Sequence, residues 1–289
     1  MRRGVQSGGA RDDWVVRVPA SSANLGSAFD AVALALDVHL EVTAGADDPA
    51  PETHPAVRAF REGGGVGPIA VRLRFPGGRG LGFSGAARVG GLVAACVQQE
   101  GSLRESRPAI LRTAGALEGH FDNVAASLFG GVVAVAGGRA VRIPLPRDLA
   151  VVVWIPDRQT PTPSARRLLP EQVSFEDAAF NIGRTALLVA ALAAGDVSAL
   201  RIATEDRLHQ GRRLARAHET RHAIEAALAA GAFAAWLSGS GPSAAALVEP
   251  ACAADVAAAL PGDGRTRVLA IADVGAIVTT RDASRGSRD

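Results

Sequence analysis

The chain has 289 residues, nearly half of them apolar, enough to bury a full core in one large lobe or two intertwined ones. Its 31 basic residues, all arginine, nearly balance 29 acidic ones, and with 4% aromatics, no tyrosine and no basic run interleaved with rings the composition speaks against nucleic-acid binding. The absence of lysine excludes a Walker-type phosphate lysine, a Schiff-base lysine and the lysine of a protein-kinase fold, so a phosphate site here must use backbone N–H groups, arginines and metal.

Residues 1–13 and the closing RDASRGSRD read as disordered tails, because both are polar, charged or small and lack periodicity. The start has basic residues with no apolar stretch after them, and no segment reaches the roughly 18 apolar residues of a membrane span. The expectation is a cytoplasmic enzyme with no membrane partner. Val15 to Val18 and Val38 to Thr43 read as strands around a helix-like Phe29 to Leu36, and a polar loop over Asp47 to Pro55 leads to a short helix around Ala56 to Phe60. The alternation of Val71, Leu73 and Phe75 suits another strand.

A glycine-rich turn, Arg79-Gly80-Leu81-Gly82-Phe83-Ser84-Gly85-Ala86-Ala87, then opens a buried helix reaching about Gln98. Glycines at a strand-to-helix turn allow two readings: a tight turn of close packing, or a phosphate cradle made by the free N–H groups and positive dipole end of the new helix. A second helix is expected near Ala109 to Leu117, a hairpin from Gly130–Ala136 and Ala140–Ile143, and a continuous apolar strand over Leu149 to Ile155. Beyond Pro156, a proline-bearing loop (Gln159 to Pro163) leads to helices at Phe175–Ala194, Val197–Glu205 and Ala215–Ala230. Strands at Ala234–Leu237 and Ala244–Val248, a helix to Leu260, and closing strands near Val268 and Ile277 complete the pattern. The chain therefore reads as α+β, with an N-terminal lobe over 14–156 and a C-terminal lobe over 157–280, too interleaved to fold separately. Cys96 and Cys252, both in Ala/Val-rich contexts, read as core residues in a reducing compartment.

Four separated stretches, taken together, resemble the GHMP small-molecule kinases, and within them the homoserine kinases. Pro19-Ala20-Ser21-Ser22-Ala23-Asn24-Leu25-Gly26 with Phe29-Asp30 is similar to the family opening PATSANLGPGFD. The glycine turn stands where the family reads GLGSSAA, Glu118-Gly119-His120-Phe121-Asp122-Asn123-Val124 where it reads EGHPDNV, and Leu237-Ser238-Gly239-Ser240-Gly241-Pro242-Ser243 where it reads LSGAGPT. Phe180-Asn181 with Arg184, and Asp206-Arg207-Leu208-His209-Gln210 with Arg213, add two matches proper to homoserine kinases.

The resemblance implies two interleaved lobes of the GHMP kinase type and an ATP- and Mg²⁺-dependent transfer of phosphate to the hydroxyl of homoserine, a small-molecule substrate, in a possible homodimer. It places the ATP phosphates on the loop Pro76, Gly78, Arg79, Gly80, Leu81, Gly82, Phe83, Ser84, Gly85 and Ala86. It assigns Ser84 and Glu118 to the metal, Asn24, Asp30, Asn123, Arg184 and Arg213 to the substrate, and catalysis to Ser84, Glu118, Asn123 and Arg184. A carboxylate and a pair of arginine forks suit a substrate carrying an ammonium and a carboxylate. Asp122 reads as a supporting residue and His120 as a hydrogen-bonded turn residue before either reads as a base, since phosphoryl transfer is loose and mostly electrostatic.

Departures from the family pattern leave alternatives open. Phe83 replaces the first serine of the usual pair and Gly85 the following alanine; Ala116 stands where many relatives carry a further glutamate; Phe121 replaces a proline, and Gly211-Arg212 replace a proline and a tyrosine. Loss of a metal carboxylate would cost more than loss of a phosphate hydroxyl, because Mg²⁺ takes hard anionic oxygens and bridges the β and γ phosphates. The alternatives are a divergent homologue that binds an amino acid or nucleotide without transfer, and a GHMP kinase for another small alcohol.

Overall fold

The computed structural model describes residues 13–45, 48–158 and 162–280; the expected tails otherwise lie outside the described residues, as does most of the proline-bearing loop. Two antiparallel sheets form its frame. The first runs, edge to edge, Ile277–Thr280, Trp14–Ala23, Val32–Ala44, Val132–Ala136 and Arg139–Ile143, with Ile69–Leu73 also paired to Val32–Ala44; the second runs Ala234–Leu237, Ala244–Val248, Ala150–Pro156 and Gly264–Ala270. In the first sheet β1 (Trp14–Ala23) and β2 (Val32–Ala44) are joined by β3 (Ile69–Leu73), β4 (Val132–Ala136), β5 (Arg139–Ile143) and β10 (Ile277–Thr280). The second contains β6 (Ala150–Pro156), β7 (Ala234–Leu237), β8 (Ala244–Val248) and β9 (Gly264–Ala270). Because β10 returns to pair with β1, register Trp14 to Thr280, both ends of the described chain are woven into one sheet.

The helical stretch expected over Phe29 to Leu36 is instead turn and strand, for β2 begins at Val32. The physical reason is burial on both faces: Val32 to Leu36 are all buried, so the strand shows a continuous apolar run rather than an alternation. Helix α1 (Pro55–Glu62) starts one residue before the expected Ala56 and runs two beyond Phe60. The second helix, α3 (Leu103–Glu118), starts six residues before the expected Ala109, capped by Ser102 and carrying Pro108 inside it. Residues 197–205 form a 3₁₀ turn and a single helical turn, α7 (Leu200–Ala203), in place of one helix. Unforeseen are α4 (Asp122–Phe129), α5 (Thr162–Arg166) and α8 (Gln210–Leu214).

Helix α2 (Phe83–Gln98) is the centre of the first layer, with ten of its sixteen residues buried and none fully exposed, packed among β1, β2, α1, α3 and α4. Its small residues permit that closeness. A Cβ at Gly91 would lie 2.0 Å from the carbonyl of Ala56, and one at Gly90 2.8 Å from the Val42 side chain. One face of β6 (Val151, Val153, Ile155) shares this core, while Val152 and Trp154 turn to a second core with α9 (His218–Ala229) and α10 (Ala253–Ala259). The period-two split of a single strand makes the two lobes continuous.

Helix α6 (Phe175–Ala194) has the expected bounds, yet it is long and apolar enough to cross a membrane by length and composition, which the sequence was not expected to supply. It packs as a helix of the fold: Asn181, Leu188, Ala191 and Leu192 are buried, and Asn181 Nδ2 donates to the carbonyl of Ser27 at 2.9 Å. Cys96 is half-buried beside Ser106 Oγ at 3.3 Å, whereas Cys252 is exposed, contrary to the core position expected for it. It lies at the exposed start of the α10 turn, where neighbouring alanines face solvent as readily as core.

Candidate active site

The glycine turn leaves β3 and enters α2 without a side-chain cap: its N-cap is Gly82, in the left-handed region at φ 67°. The first amide groups of a sixteen-residue helix are thus left bare at one end of a cleft. No larger residue fits at position 82, since a Cβ there would lie 1.9 Å from Ser21 Oγ. Gly80, at φ 78°, has the same restriction, with a Cβ 2.3 Å from the carbonyl of Ser238. The two glycine loops therefore abut, and Ser238 Oγ donates to the Gly80 carbonyl at 2.6 Å. Arg79 anchors the turn from outside, donating to the Asp157 carbonyl at 2.5 Å, while Leu81 is buried and accepts from the Ser21 amide through its carbonyl.

The cleft is lined by Asn24, Asp30, Gly78, Gly80, Gly82, Phe83, Ser84, Glu118, Asn123 and Arg213 among the expected residues, and by Phe29, His120, Asp122, Arg166, Gly239 and Ser240 besides. Pro76, Arg79, Leu81, Gly85 and Ala86 support the loop without lining the cleft. Gly85 lets α2 sit against α4, where a Cβ would meet the Asn123 side chain at 3.2 Å. Arg184 is not brought in. Its guanidinium pairs with Glu205 at 3.0 Å and covers the Phe180 ring.

At the phosphate end, Ser84 Oγ donates to Glu118 Oε1, and Arg88 pairs with Glu118 Oε2. Glu118 closes α3, and its side chain is 7% exposed. Ala116 is exposed, so a glutamate at that position would stand on the outer face of α3, and its loss does not empty the cleft of carboxylate. Phe83 lines the cleft and its ring is held from the side: a Cβ on Gly77 would touch it at 3.5 Å, and His54 meets it edge-on at 5.6 Å between centroids. Phe121 stacks over Gly115, where a Cβ would lie 2.1 Å from its ring, filling the place of the family proline by packing.

At the other end, Asp30 holds a left-handed conformation, φ 55°, fixed by Asn24, whose Oδ1 accepts from the Asp30 amide at 3.0 Å and whose Nδ2 donates to the Gly239 carbonyl at 2.9 Å. Arg166 Nη2 donates to both Asp30 oxygens at 2.8 Å. Arg166 and Arg213 lie over Phe29, at 5.5 and 5.3 Å from its centroid. Burial, and then the neighbouring Arg166, push the Arg213 pKa down to about 10, against the pull of Asp30, Asp206 and Asp122. Asp122 begins α4, and its Oδ1 is occupied twice, by the Asn123 amide at 2.8 Å and by His120 Nδ1 at 2.6 Å. Asn123 Oδ1 accepts from Ser21 Oγ at 2.8 Å.

Two polar centres thus face each other across one cleft, a bare helix terminus with a hydroxyl and a carboxylate, and an arginine pair around an aspartate. Residues 52–131 match the family model described as "GHMP kinases N terminal domain" and residues 188–265 that described as "GHMP kinases C terminal". The chain is 42% identical to a homoserine kinase of Thermus thermophilus, over 89% of this chain and 95% of that protein. The chain belongs to the homoserine kinase family of GHMP kinases. Its fold agrees with a crystal structure of homoserine kinase from Cytophaga hutchinsonii, TM-score 0.81 and 25% identity, covering 96% of this chain and 100% of that one. A putative homoserine kinase from Listeria monocytogenes is similar over 92% of this chain and 99% of its own, TM-score 0.76 and 28% identity. Membership makes the chain an ATP-using phosphotransferase with an alcohol acceptor, of α+β fold.

Sequence reasoning missed Arg166, which lines the cleft, and Arg88, which pairs with the cleft residue Glu118. Arg166 carried no local signal among 31 arginines. Arg88 did carry one, lying one helical turn after Ser84 on the same face of α2.

Proposed function

We propose that this protein transfers the γ-phosphoryl group of ATP to the hydroxyl of L-homoserine, giving O-phospho-L-homoserine on the route to threonine. The observation that carries this reading is the single cleft in which the Ser84–Glu118 pair at the α2 N-terminus faces the Arg166–Asp30 pair.

The bare amides of the glycine turn and the α2 dipole suit the triphosphate. Ser84 and Glu118 supply a hydroxyl and a carboxylate, hard oxygen donors of the kind Mg²⁺ takes, and would hold it there. Bound Mg²⁺ would offset charge on the β and γ phosphates. At the far end Arg166 and Arg213 suit the substrate carboxylate and Asp30 its ammonium. The pKa of Arg213 supports this, because a desolvated guanidinium beside another gains from an anion between them.

In the reaction the substrate hydroxyl oxygen forms a bond to the γ-phosphorus as the bond to the bridging β–γ oxygen breaks, ADP leaves, and the hydroxyl proton is released to solvent. Asn24 and Asn123 position the walls of the cleft, for each is held by a hydrogen bond to another segment. Asp122 serves to hold His120 and the start of α4, both through its Oδ1. No strong base is required of a loose transition state whose catalysis is mainly positioning and charge. An assay of ADP release with homoserine, threonine and serine tests the proposal. Fastest turnover is expected with homoserine, and no turnover with any of the three would overturn it.

A further inference from the structure

Glu118 has a resident counter-ion. Arg88 stands four residues after Ser84 in α2, and helical side chains lean toward the N-terminus, so its guanidinium lies over the turn that carries Ser84. There it forms an ion pair with Glu118 Oε2, a buried oxygen that has no hydrogen-bond partner among the described residues, while Ser84 donates to Oε1. The Glu118 side chain is 7% exposed and that of Arg88 21%, which makes this an enclosed pair rather than a surface one. An enclosed carboxylate without a counter-charge is costly, and one already neutralised has little left to attract a dication.

We propose that Arg88 is a charge latch on Glu118: it keeps the carboxylate closed to a free divalent cation and releases it only when a nucleotide brings phosphate for the guanidinium to take. This rests on the reading of Glu118 as the metal carboxylate. Arginine suits the exchange, because its planar fork fits carboxylate and phosphate alike. A guanidinium so placed is stabilised by any anion that reaches it, and the triphosphate arrives at the α2 N-terminus, one turn away. The consequence is an order of events: cation and nucleotide enter together, and cation alone is refused.

Electron paramagnetic resonance of Mn²⁺, with and without ADP, tests this on the full chain and on Arg88→Met, Arg88→Lys, Glu118→Gln and Arg88→Met/Glu118→Gln, each checked for folding by its melting profile. The unsubstituted protein should bind Mn²⁺ only with ADP. Arg88→Met should bind Mn²⁺ alone about tenfold or more tightly than the unsubstituted protein, the neutral side chain removing a repulsion at contact distance. It should also bind Mn²⁺·ADP about tenfold more weakly, having lost a charge-assisted bond to phosphate. Arg88→Lys should stay closed to Mn²⁺ alone, and the double variant should lose what Arg88→Met gained. Equal binding of Mn²⁺ alone by the unsubstituted protein and Arg88→Met, with Glu118→Gln reducing both, would overturn the latch and leave Glu118 as the ligand. Unchanged Mn²⁺ uptake with ADP in Glu118→Gln would overturn the metal reading of Glu118 and the latch with it.

Discussion

Both carboxylate oxygens of Asp30 lie 2.8 Å from Nη2 of Arg166, a residue 136 positions away. The pair is part exposed, 30% and 36%, so it adds little to stability, but it sets the charge of the substrate end. A substrate ammonium entering beside Asp30 competes with Arg166 for the carboxylate and frees the guanidinium for the substrate's own carboxylate. Arg166→Ala and Arg213→Ala should each raise the KM for homoserine about 10- to 100-fold, the loss of one hydrogen bond to a charged group, with the KM for ATP within about threefold. Arg184→Ala, outside the cleft, should leave homoserine KM near that of the unsubstituted protein. Steady-state kinetics in both substrates checks all three.

Arg166 also shows where sequence reading stops. Asn24, Asp30, Ser84, Glu118, Asn123 and Arg213 were found because each belongs to a short pattern, and the fold brings all six to one cleft. Arg184 sits in a family-like stretch and Arg166 in none, yet tertiary pairing reverses their standing, Asp30 in the cleft for Arg166 and Glu205 outside it for Arg184. The fold behaved likewise. Helix α6 could be read to the residue because Ser174 caps it and Gly195 ends it. Val32 to Leu36 were misread because burial on both faces erases the alternation that betrays a strand.

Gly82→Ala should disable the glycine loop. The added Cβ would stand 1.9 Å from Ser21 Oγ at a φ of 67°, so the turn must move, and with it the amides at the α2 N-terminus. We expect a fall in kcat/KM for ATP of about tenfold or more and a melting temperature lower by a few degrees, equivalent to about 1–2 kcal/mol. Gly262→Ala, at a loop glycine with open space around its Cβ, is the matching control and should change neither.

Phe83→Ser restores the hydroxyl usual in the family, yet it should not improve the enzyme. The ring lies against Gly77 and His54 and packs on the main core, so its removal leaves a void beside the loop. The expected outcome is a loss of about 1–3 kcal/mol in urea unfolding, scaled down from full burial because the ring is half-buried, with the KM for ATP unchanged or higher. A KM for ATP several-fold lower in Phe83→Ser would show that the ring obstructs the phosphates instead.

Stability should fall on the acid side of neutrality through His209. Its Nε2 sits 2.7 Å from the Gly26 carbonyl, which can only accept, and its Nδ1 sits 3.2 Å from Arg213 Nη1, which can only donate. The ring is thereby held neutral with its proton on Nε2. Burial lowers its pKa from the ordinary 6.5, Asp206 opposes the shift, and Arg213 adds to it. With the folded pKa below the unfolded one, the unfolded chain binds more protons between the two values, so stability is fully present above about pH 6.5 and is lost as pH falls through the folded pKa. Each such histidine contributes a slope of up to about 1.4 kcal/mol per pH unit in that window. His39 and His54, also lowered by burial, add slopes of the same sign. Urea unfolding from about pH 7.5 to about pH 5 should therefore show declining stability, and His209→Gln should remove about one proton's share of the slope. Protonation of Nδ1 would also expel the Arg213 guanidinium from its seat, so the KM for homoserine should rise over the same acid range while the KM for ATP stays level. A slope unchanged by His209→Gln would mean that the histidine charges without loss of its partners and that Arg213 is held from elsewhere.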